Sequence, residues 1–241
     1  LWAAALLGPA WPCLGEVLPR APRELLGRLA LAREAAAQGR LAEAVPALEA
    51  VLTAEADGFL PCESLGVPQR TMKAEAASLV GALGPEGLEQ FEAWCGGKAR
   101  RLLDEAVARR DREALMRLVR QFPGTVAGAE AALVLACDGL DRGRPWEAVA
   151  WLRRVAWPPS APDDLAAHTA LVLAAAHLMA SQPEPARQAL DRLGSRGGVR
   201  LRVGDEEFMA GGDPQRVLDA MAAVMGPAVL VQPKARAGWP M

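Results

Sequence analysis

The sequence predicts an all-α fold, a solenoid of antiparallel helix pairs, and three observations predict it. The first is composition. Among 241 residues there is no Tyr, no Ile and no Asn, and only four Phe. Strand formers are therefore scarce while Ala, Leu, Arg and Glu favour helix. The second is self-similarity, with Ala followed four residues later by Leu at Ala44/Leu48, Ala114/Leu118, Ala148/Leu152 and Ala186/Leu190. The alanines are 70, 34 and 38 residues apart, so the chain shows a beat of 34–38 residues with a degenerate unit near Leu79–Leu83. The third is an alternation of helix types. Ala131–Ala136 and Leu171–Ala176 are apolar on every side, as suits a helix held between neighbours. Trp146–Val155 and Pro185–Leu193 are amphipathic with arginine outside.

Taken from the start, Leu1–Gly15 carries no charge and is shorter than the ~20 residues of a spanning helix, with Pro9 and Pro12 inside it. It fits the apolar core of a secretory signal with small residues near Gly15, and reads as a remnant because no basic segment or initiating Met precedes it. The other reading is an ordinary buried lead-in. Cys13 follows Pro12, not the small residue that a lipid-anchor site needs. Helices are then expected near 22–38, 42–54, 68–83, 85–94, 97–109 and 111–121, followed by 127–141, 145–156, 163–180, 184–194 and 213–225. Pro22, Pro85 and Pro145 fall where a first turn tolerates proline, whereas Pro46 lies deeper and should distort the start of its helix. Asp163-Asp164 complements a helix dipole, and Asp213-Pro214 opens the last helix. Gly194–Gly198 reads as a loop, and Val199–Val203 alternates as a short strand, marginal if alone. The chain thus divides into a signal-like 1–15, helical repeats over 22–195, a strand, loop and terminal helix over 196–225, and a Pro/Gly-bearing linker over 226–241.

The spacing of the repeat has a physical reason. A small residue on the second helix of a pair lets the first approach closely, and the Leu one turn later fills the groove between units. A left-handed residue five positions before the Ala ends the preceding helix. Gly39 and Gly143 fit that role, and Arg109 and Ser181 do not. Over 22–195 this pattern resembles the tetratricopeptide repeat, a helix–turn–helix unit that stacks into a superhelix, although the aromatic positions of that family are mostly missing. The resemblance implies a protein or peptide partner on a concave helical face. A chain without Asn cannot carry the asparagine-bearing clamp with which chaperone-type repeats of this family hold a terminal carboxylate.

A narrower resemblance rests on Gly84–Phe91, Ala99–Ala106 and Leu118–Thr125. These runs are similar to the N-terminal helical region of large secreted bacterial proteins that continue into a PQQ-like β-propeller. Gly238-Trp239-Pro240-Met241 matches the start of the phrase with which such propellers open. This implies an extracytoplasmic location and a propeller in cis. It also leaves open a propeller-bearing enzyme whose chemistry lies beyond Met241, while a cytosolic helical adaptor follows if Leu1–Gly15 is merely helix.

The search for chemistry returns no catalytic, cofactor or metal site. His168 and His177, nine residues apart, fall on opposite faces of a helix, each read as a satisfied helix histidine, and no zinc spacing, phosphate loop or nucleophile elbow occurs. Glu206-Glu207 reads as turn or helix-start residues. With 27 basic and 29 acidic residues, net −2, the chain lacks the basic surplus that nucleic-acid binding uses. Arg100-Arg101, Arg109-Arg110 and Arg153-Arg154 read as solvated helix faces. Trp94, Trp146, Trp151 and Trp157 are expected to pack, with an aromatic peptide groove as the alternative. Cys62, Cys95 and Cys137 form neither a metal knuckle nor a disulfide framework. Cys137 in Leu133–Cys137 reads as a small hydrophobe in a helix interface, and one disulfide among the three stays open. The expected function is a non-catalytic repeat scaffold or interaction module of a secreted bacterial protein.

Overall fold

Helix caps and apolar stripes set where each element begins and ends. The computed structural model describes residues 20–60, 70–192 and 199–226. Within them are α1 (Arg23–Ala37), α2 (Leu41–Thr53), α3 (Met72–Ala82), α4 (Gly84–Arg109), α5 (Arg112–Gln121), α6 (Val126–Asp141), α7 (Pro145–Leu152), α8 (Asp163–Met179), α9 (Pro183–Asp191), β1 (Arg200–Val203), β2 (Glu206–Met209) and α10 (Pro214–Met225). The protein is mostly helical, with a single two-stranded sheet among the described residues. Side chains of Thr71, Asp111, Thr125 and Asp213 accept from the first-turn amides of α3, α5, α6 and α10, the standard polar cap.

Several helices differ from the sequence expectation, among them α3, expected from 68, which starts at Met72 behind its Thr71 cap. The segments 85–94 and 97–109 are one helix, α4, running through Gly96-Gly97. Its buried stripe of Leu88, Phe91, Cys95, Ala99, Leu103 and Ala106 keeps helical spacing across the glycines, so burial overrides their low propensity. The helix expected to reach 156 stops at Leu152, because the chain leaves it to place the Ala156 amide on the Pro123 carbonyl at 3.0 Å. Pro46 lies inside α2, which runs on through it from Leu41 to Thr53.

The expected lone strand has a partner. Val203 to Glu206 turns through Gly204 at φ +60°, and Glu206-Glu207, read from sequence as turn or helix-start residues, belong to β2. Leu201 opposite Phe208 faces the hairpin toward α10, and Leu201 is buried.

One turn recurs. After α1, α4, α6 and α8 a single residue takes a left-handed conformation: Gly39 (φ +69°), Arg110 (+52°), Gly143 (+69°) and Ser181 (+59°). In each turn the amide of that residue donates three residues back, and the next amide donates five back. The second bonds are Arg40 to Ala35, Asp111 to Ala106, Arg144 to Gly139 and Gln182 to His177, at 2.8–2.9 Å. This is the Schellman closure of a helix. Ser181, which the sequence reading leaves out of this role, takes it, and in the turn assigned to Arg109 the left-handed residue is its neighbour Arg110.

Packing is local along the chain. Successive helices pack on each other, and α4, α6 and α8 also contact in sequence. Two hydrophobic cores result. The larger runs from Ala21 to Leu152 and takes in Ala176; the smaller joins α8, α9, α10 and the hairpin. Helix α8 serves both, Ala176 facing the first while Ala167, Ala170, Ala174 and Leu178 face the second. At the N-terminal end, extended pieces around Arg20, Phe59 and Thr71 bridge one another. Gly58 lies so close to the Arg20–Ala21 backbone that no side chain fits there.

Candidate functional site

The alanine–leucine positions occupy the first two turns of α2, α5, α7 and α9. Ala44, Leu48, Leu118, Ala148, Leu152, Ala186 and Leu190 are buried, while Ala114 is only partly so. The backbone accounts for the exception. The amides of Ala44, Leu115, Ala148 and Ala186 each donate to the carbonyl just after the left-handed residue, at 3.1–3.3 Å. By hydrogen bonding Leu115, not Ala114, is the counterpart of the other three alanines, so the ungapped alignment and the backbone register differ by one residue in α5. Close approach is clearest at Ala148, where a Cβ placed on Gly139 would lie 3.7 Å from the Ala148 Cβ.

A groove of about 1050 Å³ opens between the C-terminal end of α2, one face of α3, the second half of α5 and the segment Arg153–Ala156. Small residues keep it open. Ala74, Ala77, Ser78 and Gly81 recur along one face of α3 and present little bulk, while Leu52 and Val155 add apolar floor. Charge along it is uneven. At one end Glu55 and Asp57 outnumber Lys73, with Asp57 Oδ1 accepting from the Gly58 and Lys73 amides at 2.8 and 3.2 Å and Lys73 Nζ donating to the Ala54 carbonyl. At the other end stand Arg117, Arg120, Arg153 and Arg154. Arg117 reaches Asp111 and Glu113 only at 4.0 Å. Arg120, Arg153 and Arg154 have no carboxylate within ion-pairing distance among the described residues. The guanidinium centres of Arg120 and Arg154 lie 5.9 and 5.4 Å from the Trp151 ring, a cation–π arrangement that holds both in place.

Other arginines are satisfied by carboxylates. Arg100 grips Glu130 with two bonds of 2.6 Å, tying α4 to α6. Arg112 bonds Asp138 at 3.0 Å and also Glu147, tying α5 to α6 and α7. Arginines without an ion pair occur elsewhere on the described surface, Arg101 and Arg216 among them, but Arg120, Arg153 and Arg154 line one cleft. The sequence treatment of Arg153-Arg154 as a solvated face is right about exposure and misses their convergence with Arg117 and Arg120, which lie on a different helix. No spacing in the chain signals that convergence.

The remaining candidates lie apart. His177 is buried, its Nδ1 donating to Gln182 Oε1 at 3.0 Å, and burial pushes its imidazole below the ordinary value against that bond, with Arg153 adding to the effect. His168 is exposed, and its Nδ1 donates to the Asp164 carbonyl at 2.8 Å. Cys137 and Val134 face solvent, so α6 is not buried on every side, and Cys95 is the buried thiol instead. Burial first, then the charge of Glu49, pushes the Cys95 thiol up to about 12, which leaves it unreactive. Cys62 and Cys13 lie outside the described residues, as do the signal-like 1–15 and the linker from 227 to 241. Of the tryptophans expected to pack, Trp151 is 7% exposed whereas Trp94 and Trp146 are each 57% exposed. Trp94 Nε1 donates to Glu49 at 2.7 Å. Among the described residues no three His, Cys, Asp or Glu side chains are grouped to hold a metal, and no helix is long and apolar enough to cross a membrane.

Fold and groove together define an all-α protein with a one-sided basic cleft. Compared with protein-family models, curated proteins and solved structures, the chain finds no match.

Proposed function

We propose that the chain is a non-catalytic scaffold of tetratricopeptide-like helix pairs that acts as a protein-interaction module. The observation that supports this best is the turn used four times, closed by the same two backbone bonds with the same helix-starting bond after it. A chain that repeats one connector and packs each element on its sequence neighbours is organised as stacked units, and such arrays recognise partners over an extended surface. The apolar Leu1–Gly15 supports export, and Gly238-Trp239-Pro240-Met241 after the Pro/Gly-bearing stretch supports a β-propeller following in cis.

Excision of one unit tests the architecture. Deleting residues 144–181 joins Gly143 to Gln182 and replaces one left-handed turn by the next in register. Stacked units tolerate this, giving a shorter chain that stays helical by circular dichroism and melts in one cooperative transition. An unfolded or aggregated product overturns the repeat reading. For the cis partner, a reading frame that continues past Met241 into propeller blades is the expected result, and a stop codon directly after Met241 overturns that half.

A further inference from the structure

We propose that the basic end of the groove docks an acidic peptide segment of a partner protein, its side-chain carboxylates gripped by Arg120, Arg153 and Arg154. This deepens the scaffold reading and rests on it. Some guanidinium groups on the described surface close onto carboxylates, as Arg100 does on Glu130, and others, such as Arg101 and Arg216, stand singly without an ion pair; Arg120, Arg153 and Arg154 differ in lining one cleft together, where they present unused bidentate donors. Two of them are already pinned against Trp151, so less rotamer freedom is lost when a carboxylate arrives. The cleft, at about 1050 Å³, is long enough for several residues rather than a single small anion.

Charge decides the occupant. The chain's own segments outside the described residues are unsuited: residues 1–19 and 61–69 hold one acid each, Glu16 and Glu63, while residues 193–198 hold Arg196 and residues 227–241 hold Lys234 and Arg236, with no acid in either. The longest exposed acidic run that a second copy offers among the described residues is Asp205-Glu206-Glu207, and it is held in the β1–β2 hairpin rather than free to lie extended along the cleft. A nucleic acid is disfavoured by the net charge of −2, and by an indole at Trp151 that is only 7% exposed and so offers no face on which a base could stack. An extended acidic peptide answers each point. Its backbone lies along the small-residue face of α3, and its carboxylates meet the arginines at the far end.

The test is fluorescence anisotropy on the full 241-residue chain with a labelled peptide of about twelve residues rich in Asp and Glu. Its ends are acetylated and amidated so that only side chains carry charge. Saturable binding that weakens from low salt to about 0.15 M is expected. The matching Asn/Gln peptide should not bind. R153Q should weaken binding severalfold and R120Q/R154Q by more than about tenfold, with R153K restoring only part because an ammonium cannot form the planar fork. Because R120Q/R154Q uncovers Trp151, circular dichroism checks its fold. If it fails, R153Q alone decides, since Arg153 packs against no aromatic ring among the described residues. Any of three results overturns the proposal: no saturation below about 1 mM, equal affinity for the amide peptide, or tighter binding of an oligonucleotide of equal charge. Unit excision reads the repeat architecture without any ligand, so a negative peptide result beside a folded excision product removes the groove assignment and leaves the scaffold.

Discussion

At the scale of single residues, the four turns show how much a left-handed position matters. Gly39 and Gly143 adopt φ near +69° freely, whereas Arg110 and Ser181 take the same region with a Cβ in the way. Replacing Ser181 or Arg110 by Gly is therefore expected to stabilise the fold by ~1 kcal/mol, and Gly39→Ala to destabilise it by a similar amount. Urea unfolding at constant slope checks both signs. His177 predicts a pH dependence. Its folded pKa is depressed below the ordinary 6.5, so the unfolded chain takes up the proton first. Stability from keeping it neutral is full above about pH 6.5 and is lost as pH falls through the depressed value. Thermal midpoints measured downward from neutral pH should decline over that range, and His177→Gln should flatten the decline.

At the scale of the element, close approach between α6 and α7 depends on a pair of small residues, Gly139 and Ala148, the latter fully buried. Ala148→Leu forces about three extra carbons into that contact and is expected to destabilise by ~1–3 kcal/mol. Ala114→Leu should cost far less, because Ala114 is partly exposed and Leu115 occupies the equivalent position. Equal costs in a denaturation series would restore the ungapped alignment of α5 with the other helices. Helix α4 makes the complementary point. Its apolar stripe, spaced at three and four residues from Leu88 to Ala106, continues through two glycines, and period outweighs local propensity when one face is fully buried.

At the scale of the whole molecule, two cores of different quality share α8. The larger contains Phe91, Phe122, Met72 and Leu48, all fully buried; the smaller relies on Ala167, Ala174, Ala186, Leu190 and Leu218. Less apolar area removed from water means a lower free energy of opening. Native-state hydrogen exchange should therefore find α9, the hairpin and α10 opening well below the global limit while α2, α4 and α6 exchange only through it. Uniform protection across both cores would show instead a single cooperative unit.

Much of the helical architecture was readable without a structure, because helix formers, caps and apolar periodicity act within a few residues of each other. That is why Asp163-Asp164 and Asp213-Pro214 open helices where expected, and why Ala44, Ala148 and Ala186 fall at buried first-turn positions. The pairing of β1 with β2 was missed because Glu206-Glu207 have no strand propensity of their own and become a strand only when Leu201 anchors the hairpin on α10. The left-handed Arg110 and Ser181 were missed because neither residue type prefers that conformation, which packing of the flanking helices imposes. The groove was invisible for a related reason. Arg120 and Arg154 are 34 residues apart and meet only over Trp151, so their convergence is a property of how α5 and α7 stack. Local propensity determined the helices, and only long-range packing decided which side chains share a surface.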